Sequence, residues 1–147
     1  MIRKATLNDV EGILKLIIEF HEESLGEYKL SFDWDTLRET IKRFITHNIT
    51  IVVDNGEIVG VIAGIISNSI FDIGQKIGQE ALWYITKKER KGTLALRLLK
   101  TFEQECKDRG ADFILIMHMI NLNADELNRL YETMDYKPME CHYIKGV

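Results

Sequence analysis

Between Glu80 and Arg109 the chain allows few local arrangements. An apolar run, Ala81-Leu82-Trp83-Tyr84-Ile85, meets a charged turn, Thr86-Lys87-Lys88-Glu89-Arg90-Lys91-Gly92, and a helical pattern starts at about Thr93. Leu94, Ala95, Leu98, Leu99, Phe102 and Cys106 then recur at three- and four-residue spacing, which makes one apolar stripe. A buried strand therefore feeds a basic, glycine-containing turn that opens onto a helix N-terminus. The first helical turn carries unpaired N–H groups and a partial positive charge, so it suits a phosphate. Gly92 lets an anion approach the backbone, while Arg90 and Lys91 add side-chain charge. The same pattern also describes an ordinary solvated connection, and the rest of the chain has to separate the two readings.

The remaining periodicity places this unit in a larger layout. Ile2 to Ala5 reads as a strand, and Thr6 with Asp9 resembles a capping box ahead of an amphipathic helix over 8–23. His21 near its end reads as a solvated or core-edge histidine. Residues 24–34 form a loop with Tyr28, Phe32 and Trp34, which either pack over the core or line a pocket. Leu37, Ile41, Phe44 and Ile45 predict a second helix over 35–47. Thr50 to Val53 and Glu57 to Ile66 are β-rich runs joined at Asp54-Asn55-Gly56, a strong hairpin signal because Asn and Gly tolerate positive φ. The second run is apolar on both faces and belongs in the middle of a sheet.

Segment 67–78 is looser, with Ile70 and Phe71 placed to pack down or to cover a site. A strand over 79–86 and the helix to Asp108 follow, with Gly110 as C-cap. Asp112 to Met119 reads as another buried strand, a short helix carries Leu127, Leu130, Tyr131 and Met134, and Met139 to Lys145 reads as a last, near-edge strand. The order β-α-α-β-β-β-α-β-α-β predicts an α/β (α+β) fold with a mixed sheet and helices on both faces.

Composition narrows the function classes. A chain of 147 residues, 46% apolar, supports a single domain spanning 1–147, without linker or repeat. The formal charge of −4 argues against general nucleic-acid binding or attraction to an anionic membrane. No apolar run approaches a membrane span, and the first residues lack a signal-peptide core. Cys106 and Cys141 make neither a disulfide framework nor a metal spacing, which points to a reducing, cytoplasmic setting.

With the strand–basic turn–helix of 80–109 at its middle, the order of elements resembles the GNAT N-acetyltransferase family over essentially the whole chain. The family signature, [Gln/Arg]-x-x-Gly-x-[Gly/Ala], falls on Glu89-Arg90-Lys91-Gly92-Thr93-Leu94. Glu89 stands where Gln or Arg is usual, and Leu94 where a small residue is usual. Arg90 and Ala95 lie one place later in each case. Further on, Leu130-Tyr131-Glu132-Thr133-Met134-Asp135-Tyr136 is similar to the family's Leu-Tyr and Gly-Phe-type turn, with Asp135 for Gly and Tyr136 for Phe. Together with Glu80-x-x-Trp83-Tyr84 this looks most like short single-domain members of phage and bacterial genomes.

The resemblance implies a mostly antiparallel sheet whose central strands, near 80–86 and 112–118, splay to admit acetyl-CoA. It implies an acetyl transfer to a small-molecule or protein amine within a ternary complex, or else a catalytically weak or inactive binding module on the same scaffold. Amides near Trp83, Tyr84 and Ile85 would face the thioester carbonyl. Arg90, Lys91, Gly92, Thr93, Leu94 and Ala95 would surround the pyrophosphate, and Asn121 and Asn123 would meet pantetheine amides. Tyr131 takes the family's acid position. Glu80, directly or through water, and His118 are rival bases. Each has a plainer reading as well: a core tyrosine, a strand-end carboxylate, a structural histidine. The last strand would be available to pair with a second copy's edge in a homodimer.

Overall fold

In the computed structural model, which describes residues 1–147, the chain runs β1 (Ile2–Lys4), α1 (Val10–Phe20), α2 (Trp34–His47), β2 (Ile49–Asp54), β3 (Ile58–Asn68), β4 (Lys76–Ile85), α3 (Leu94–Asp108), β5 (Phe113–Leu115) and α4 (Ala124–Thr133). The strands form one sheet in the order β1-β2-β3-β4-β5. The first three pairings are antiparallel and β4–β5 is parallel.

Local chemistry explains most of the boundaries. At the β2–β3 turn Gly56 takes φ 102° and its N–H donates to Asp54 Oδ1 at 2.9 Å. Before α1, the Asp9 carboxylate accepts the Thr6 N–H at 2.7 Å and a fork from Arg3 at 2.8 Å on each oxygen. That fork, helped by Thr6, holds the Asp9 carboxyl down to about 2. The long first helix does not stay regular: after Phe20 it widens into a π-turn, His21–Leu25, and a 3-10 turn, Gly26–Tyr28. Ser24 Oγ donates back to Phe20 O at 2.7 Å inside that turn.

β3 is buried on both sides, as its sequence requires, and it separates two apolar cores. Val10, Ile13, Leu14, Leu16 and Ile41 pack with Val52, Val61 and Tyr84 under α1 and α2. On the opposite face Leu98, Leu99, Phe102 and Cys106 pack with Ile49, Ile51, Ile62 and Tyr131. Helices thus cover both faces of the sheet.

Three expectations for the strands need correction. β4 begins at Lys76, because β3 and β4 continue as a hairpin out to Asn68. The turn at its tip carries Ile70, Phe71 and Ile73 outward, at least 82% exposed, so they neither pack down nor cover a site. The expected strand over 112–119 forms a ladder only over Phe113–Leu115. The expected last strand over 139–145 does not form, and no backbone hydrogen bond reaches residues 137–147. Alternation of apolar and polar residues makes a strand only where an edge is offered, and three residues of β5 provide too short a ladder. Met139 and Tyr143 accordingly lie exposed.

Candidate active site

The β4–β5 ladder runs only from Ile77–Phe113 to Gln79–Leu115 and then stops. β4 changes register there. Gly64 pairs with Glu80 but Ala63 pairs with Leu82, so Ala81 is the extra residue of a β-bulge. A bulge bends its strand and ends pairing, and beyond it no backbone hydrogen bond joins β4 to residues 116–119. A gap opens between the strands at that point.

The ladder also says which amides face it. Thr86 N–H donates to Val59 O at 2.9 Å, so Thr86 points its backbone groups toward β3. Alternation along an antiparallel pair gives Tyr84 and Leu82 the same direction and turns Trp83 and Ile85 toward the gap. The Ile85 carbonyl confirms the parity, since it accepts from Arg90 Nε on that side at 2.7 Å. Of Trp83, Tyr84 and Ile85, the first and last turn their amides toward the gap, and Tyr84 turns its own toward β3. The Tyr84 side chain lies under α1, where its hydroxyl donates to Glu23 and, at 3.3 Å, to Glu19.

Two titratable side chains meet across the gap at the backbone of one residue, Met117. Glu80 Oε2 accepts the Met117 N–H at 3.1 Å, and Tyr131 OH donates to Met117 O at 2.7 Å. Glu80 is only 4% exposed. Burial pushes its carboxyl up to about 7, against the smaller pull of the Met117 N–H. Burial also pushes the Tyr131 phenol well above its ordinary value, and the Glu80 charge adds to that. The Tyr131 ring sits between Trp83, centroids 6.2 Å apart, and His118, stacked at 5.9 Å. His118 itself looks outward: Nε2 is 2.8 Å from Asn128 Oδ1 and Nδ1 is 3.2 Å from Met119 O.

The turn before α3 has open amides. The first helical bond there is Arg97 N–H to Thr93 O, and the N–H groups of Lys91 through Leu96 find no acceptor in the chain. Gly92 adopts φ 69°, a conformation that favours glycine, and a Cβ there would meet nothing within 4 Å. Leu94 and Ala95 turn onto the core beneath α3, which leaves the amides of that turn uncovered by the larger residue. A concave, partly positive cradle of backbone N–H groups results.

Arg90 does not join that cradle. Its terminal nitrogens donate to both Glu23 oxygens at 3.0 Å and its guanidinium lies 5.0 Å from the Tyr84 ring centroid. Asn121 is occupied too, with Nδ2 donating to Ser24 O at 3.0 Å and to Glu27. Asn123 is exposed in the left-handed region (φ 50°) as the N-cap of α4. Glu23 and the Met117 backbone were not foreseen. The Met117 role is carried by main chain and has no residue signature. Glu23 is one carboxylate among several in an acidic stretch. A cavity of about 330 Å³ lies elsewhere, on the α1 side beside Lys15, Glu57, Thr86 and Lys87.

Comparison with known proteins is consistent with this geometry. The model of the acetyltransferase (GNAT) family matches residues 11–136. An acetyltransferase of Trypanosoma brucei superposes with a TM-score of 0.76 at 15% identity, covering 100% of this chain and 99% of that one. An aminoglycoside acetyltransferase from an uncultured soil metagenomic sample gives 0.76 at 17%, with 100% and 97% covered. A protein described as a possible acetyltransferase of Clostridium difficile gives 0.75 at 21%, again with 100% and 97% covered. No curated protein matches the chain significantly. No helix is long and apolar enough to cross a membrane.

Proposed function

Because the chain belongs to the acetyltransferase (GNAT) family, we propose that it transfers an acetyl group from acetyl-CoA directly to a primary amine within a ternary complex. The observation that carries this reading is the juxtaposition just described: a strand gap flanked by Glu80 and Tyr131, beside a helix N-terminus whose amides are open. The amides of Lys91 through Leu96 would hold the pyrophosphate, with the Lys91 side chain adding charge. Trp83 and Ile85 N–H would face the thioester carbonyl and stabilise the oxyanion as it develops.

The proton transfers balance on the two side chains. A neutral amine attacks the thioester carbon and the nitrogen becomes cationic. Glu80, as carboxylate, takes that proton through a water, since its titration near pH 7 suits the task. The tetrahedral intermediate then collapses to the amide, the C–S bond breaks, and Tyr131 gives its proton to the departing thiolate. Burial keeps the Tyr131 phenol protonated until that step. His118, with both ring nitrogens engaged, supports the Tyr131 ring rather than competing as base.

The acceptor would be a small-molecule or protein-borne amine. Solved structures of the same fold include aminoglycoside acetyltransferases and a ribosomal-protein-alanine N-acetyltransferase of Brucella melitensis. Two unpaired thiols, Cys106 buried and Cys141 exposed, suit a cytoplasmic setting.

A second reading, a weakly active or inactive binding module, is favoured by Glu89 and Leu94 at two positions of the family signature. Thiol release from acetyl-CoA, followed across a panel of amines, decides between them. Amine-dependent release that falls in Tyr131→Phe supports catalysis. Coenzyme A binding without release for any amine supports the binding module.

A further inference from the structure

Arg90 stands where a phosphate ligand was expected, yet its side chain reaches the other way. Its backbone leads into the turn whose next amides are open, while its guanidinium crosses the end of β4 toward α1. There Nε is fixed on Ile85 O at 2.7 Å and the two terminal nitrogens grip Glu23 in a fork at 3.0 Å each. Tyr84 supports the pair from beneath, its ring under the guanidinium and its hydroxyl donating to the same carboxylate.

Burial works to raise the Glu23 carboxyl, but the bonds from Arg90 and Tyr84 outweigh it and keep that carboxyl below its ordinary value. Both partners are largely shielded, with side chains 20% and 29% exposed. Glu23 sits in the π-turn His21–Leu25, and the carbonyl of the next residue, Ser24, accepts from Asn121 in the loop after β5. One continuous series of bonds therefore runs from the amide turn through Arg90 and Glu23 to Ser24 and Asn121, around the α1 side of the open end of the strand gap.

We infer that Arg90 is a positioning residue that ties occupancy of the Lys91–Leu96 amide turn to the shape of the π-turn His21–Leu25. The inference rests on the cofactor reading given above. An anion held by those amides fixes the backbone of the turn that Arg90 opens. A planar guanidinium in a two-bond grip tolerates little displacement, so Glu23 is fixed with it. A π-turn has poorer hydrogen-bond geometry than the helix it extends, and its placement is set by what it is tied to. By linkage, a molecule bound against the π-turn strengthens cofactor binding by the same factor.

Amide hydrogen exchange with coenzyme A as the probe tests this, in the wild type, in Glu23→Gln and in Arg90→Lys. In the wild type, saturating coenzyme A slows exchange in peptides covering Lys91–Leu96 and also, by about fivefold or more, in His21–Leu25. Both variants keep the slowing at Lys91–Leu96 and lose it at His21–Leu25. Retention at His21–Leu25 in the variants, or its absence in the wild type beside clear slowing at Lys91–Leu96, overturns the coupling alone. No slowing at Lys91–Leu96 in the wild type overturns the cofactor reading, and the coupling with it. Exchange without ligand checks that each variant is folded.

Discussion

Glu80 occupies a position that a sheet residue seldom fills with a carboxylate. It is 4% exposed and receives one N–H, from Met117. Its folded-state pKa near 7 lies above that of an unfolded glutamate, so the native state binds the extra proton between about pH 4.5 and 7. Stability from this group is therefore greatest below that window and is lost as pH rises through it, by up to about 3 kcal/mol. Glu80→Gln removes the penalty while keeping an acceptor for Met117 N–H. Its melting temperature should exceed that of the wild type at pH 8 and match it at pH 5, as thermal unfolding at the two values will show. Turnover in the same variant should fall at least tenfold and lose the rise through pH 7 expected of a carboxylate base. A variant that keeps that rise would assign the base elsewhere. Tyr131→Phe leaves the ring in its stack but removes the donor to Met117 O. It should lower turnover by about 10²-fold or more with little change in the acetyl-CoA dissociation constant.

Among the elements, the β4–turn–α3 unit is where backbone geometry matters most. Gly92 at φ 69° has open space around its Cα, so Gly92→Ala meets no clash and suffers only from its backbone conformation, by about 1 kcal/mol. Coenzyme A affinity, measured by calorimetry, should fall severalfold as the turn relaxes, while the fold persists. The unit was legible because its signals are local: a continuous apolar run, a basic turn with glycine, and a stripe from Leu94 to Cys106. The gap itself was expected only through family resemblance. Its physical cause, the bulge at Ala81, has no signature in Glu80-Ala81-Leu82, because register is set by pairing with β3. The same limit explains Arg90 and the tail. Basicity suggested a phosphate ligand, but Glu23, more than sixty residues away, claims the guanidinium. Alternation in Met139–Lys145 suggested a strand, but β5 offers too short an edge.

For the molecule as a whole, β2, β3 and β4 join two cores that are otherwise separate, one under α1 and α2, the other under α3 and α4. The open amide turn and the gap lie at the end of the sheet where those cores meet β4's last residues. Stability should depend on that joint and hardly on the tail. Residues 139–147 are exposed and make no backbone hydrogen bond, so a chain ending at Pro138 should melt within about 2 °C of the full chain by circular dichroism. A larger drop would mean that the tail packs in solution.

The central claim is that the cradle of amides before α3 and the neighbouring strand gap together receive the cofactor. Backbone amide NMR during a titration with coenzyme A tests it residue by residue. The account predicts that the largest shifts fall on Lys91 through Leu96, with Trp83 and Ile85 following. Shifts centred instead on the cavity beside Lys15, Thr86 and Lys87, or no shift at millimolar ligand, would contradict it.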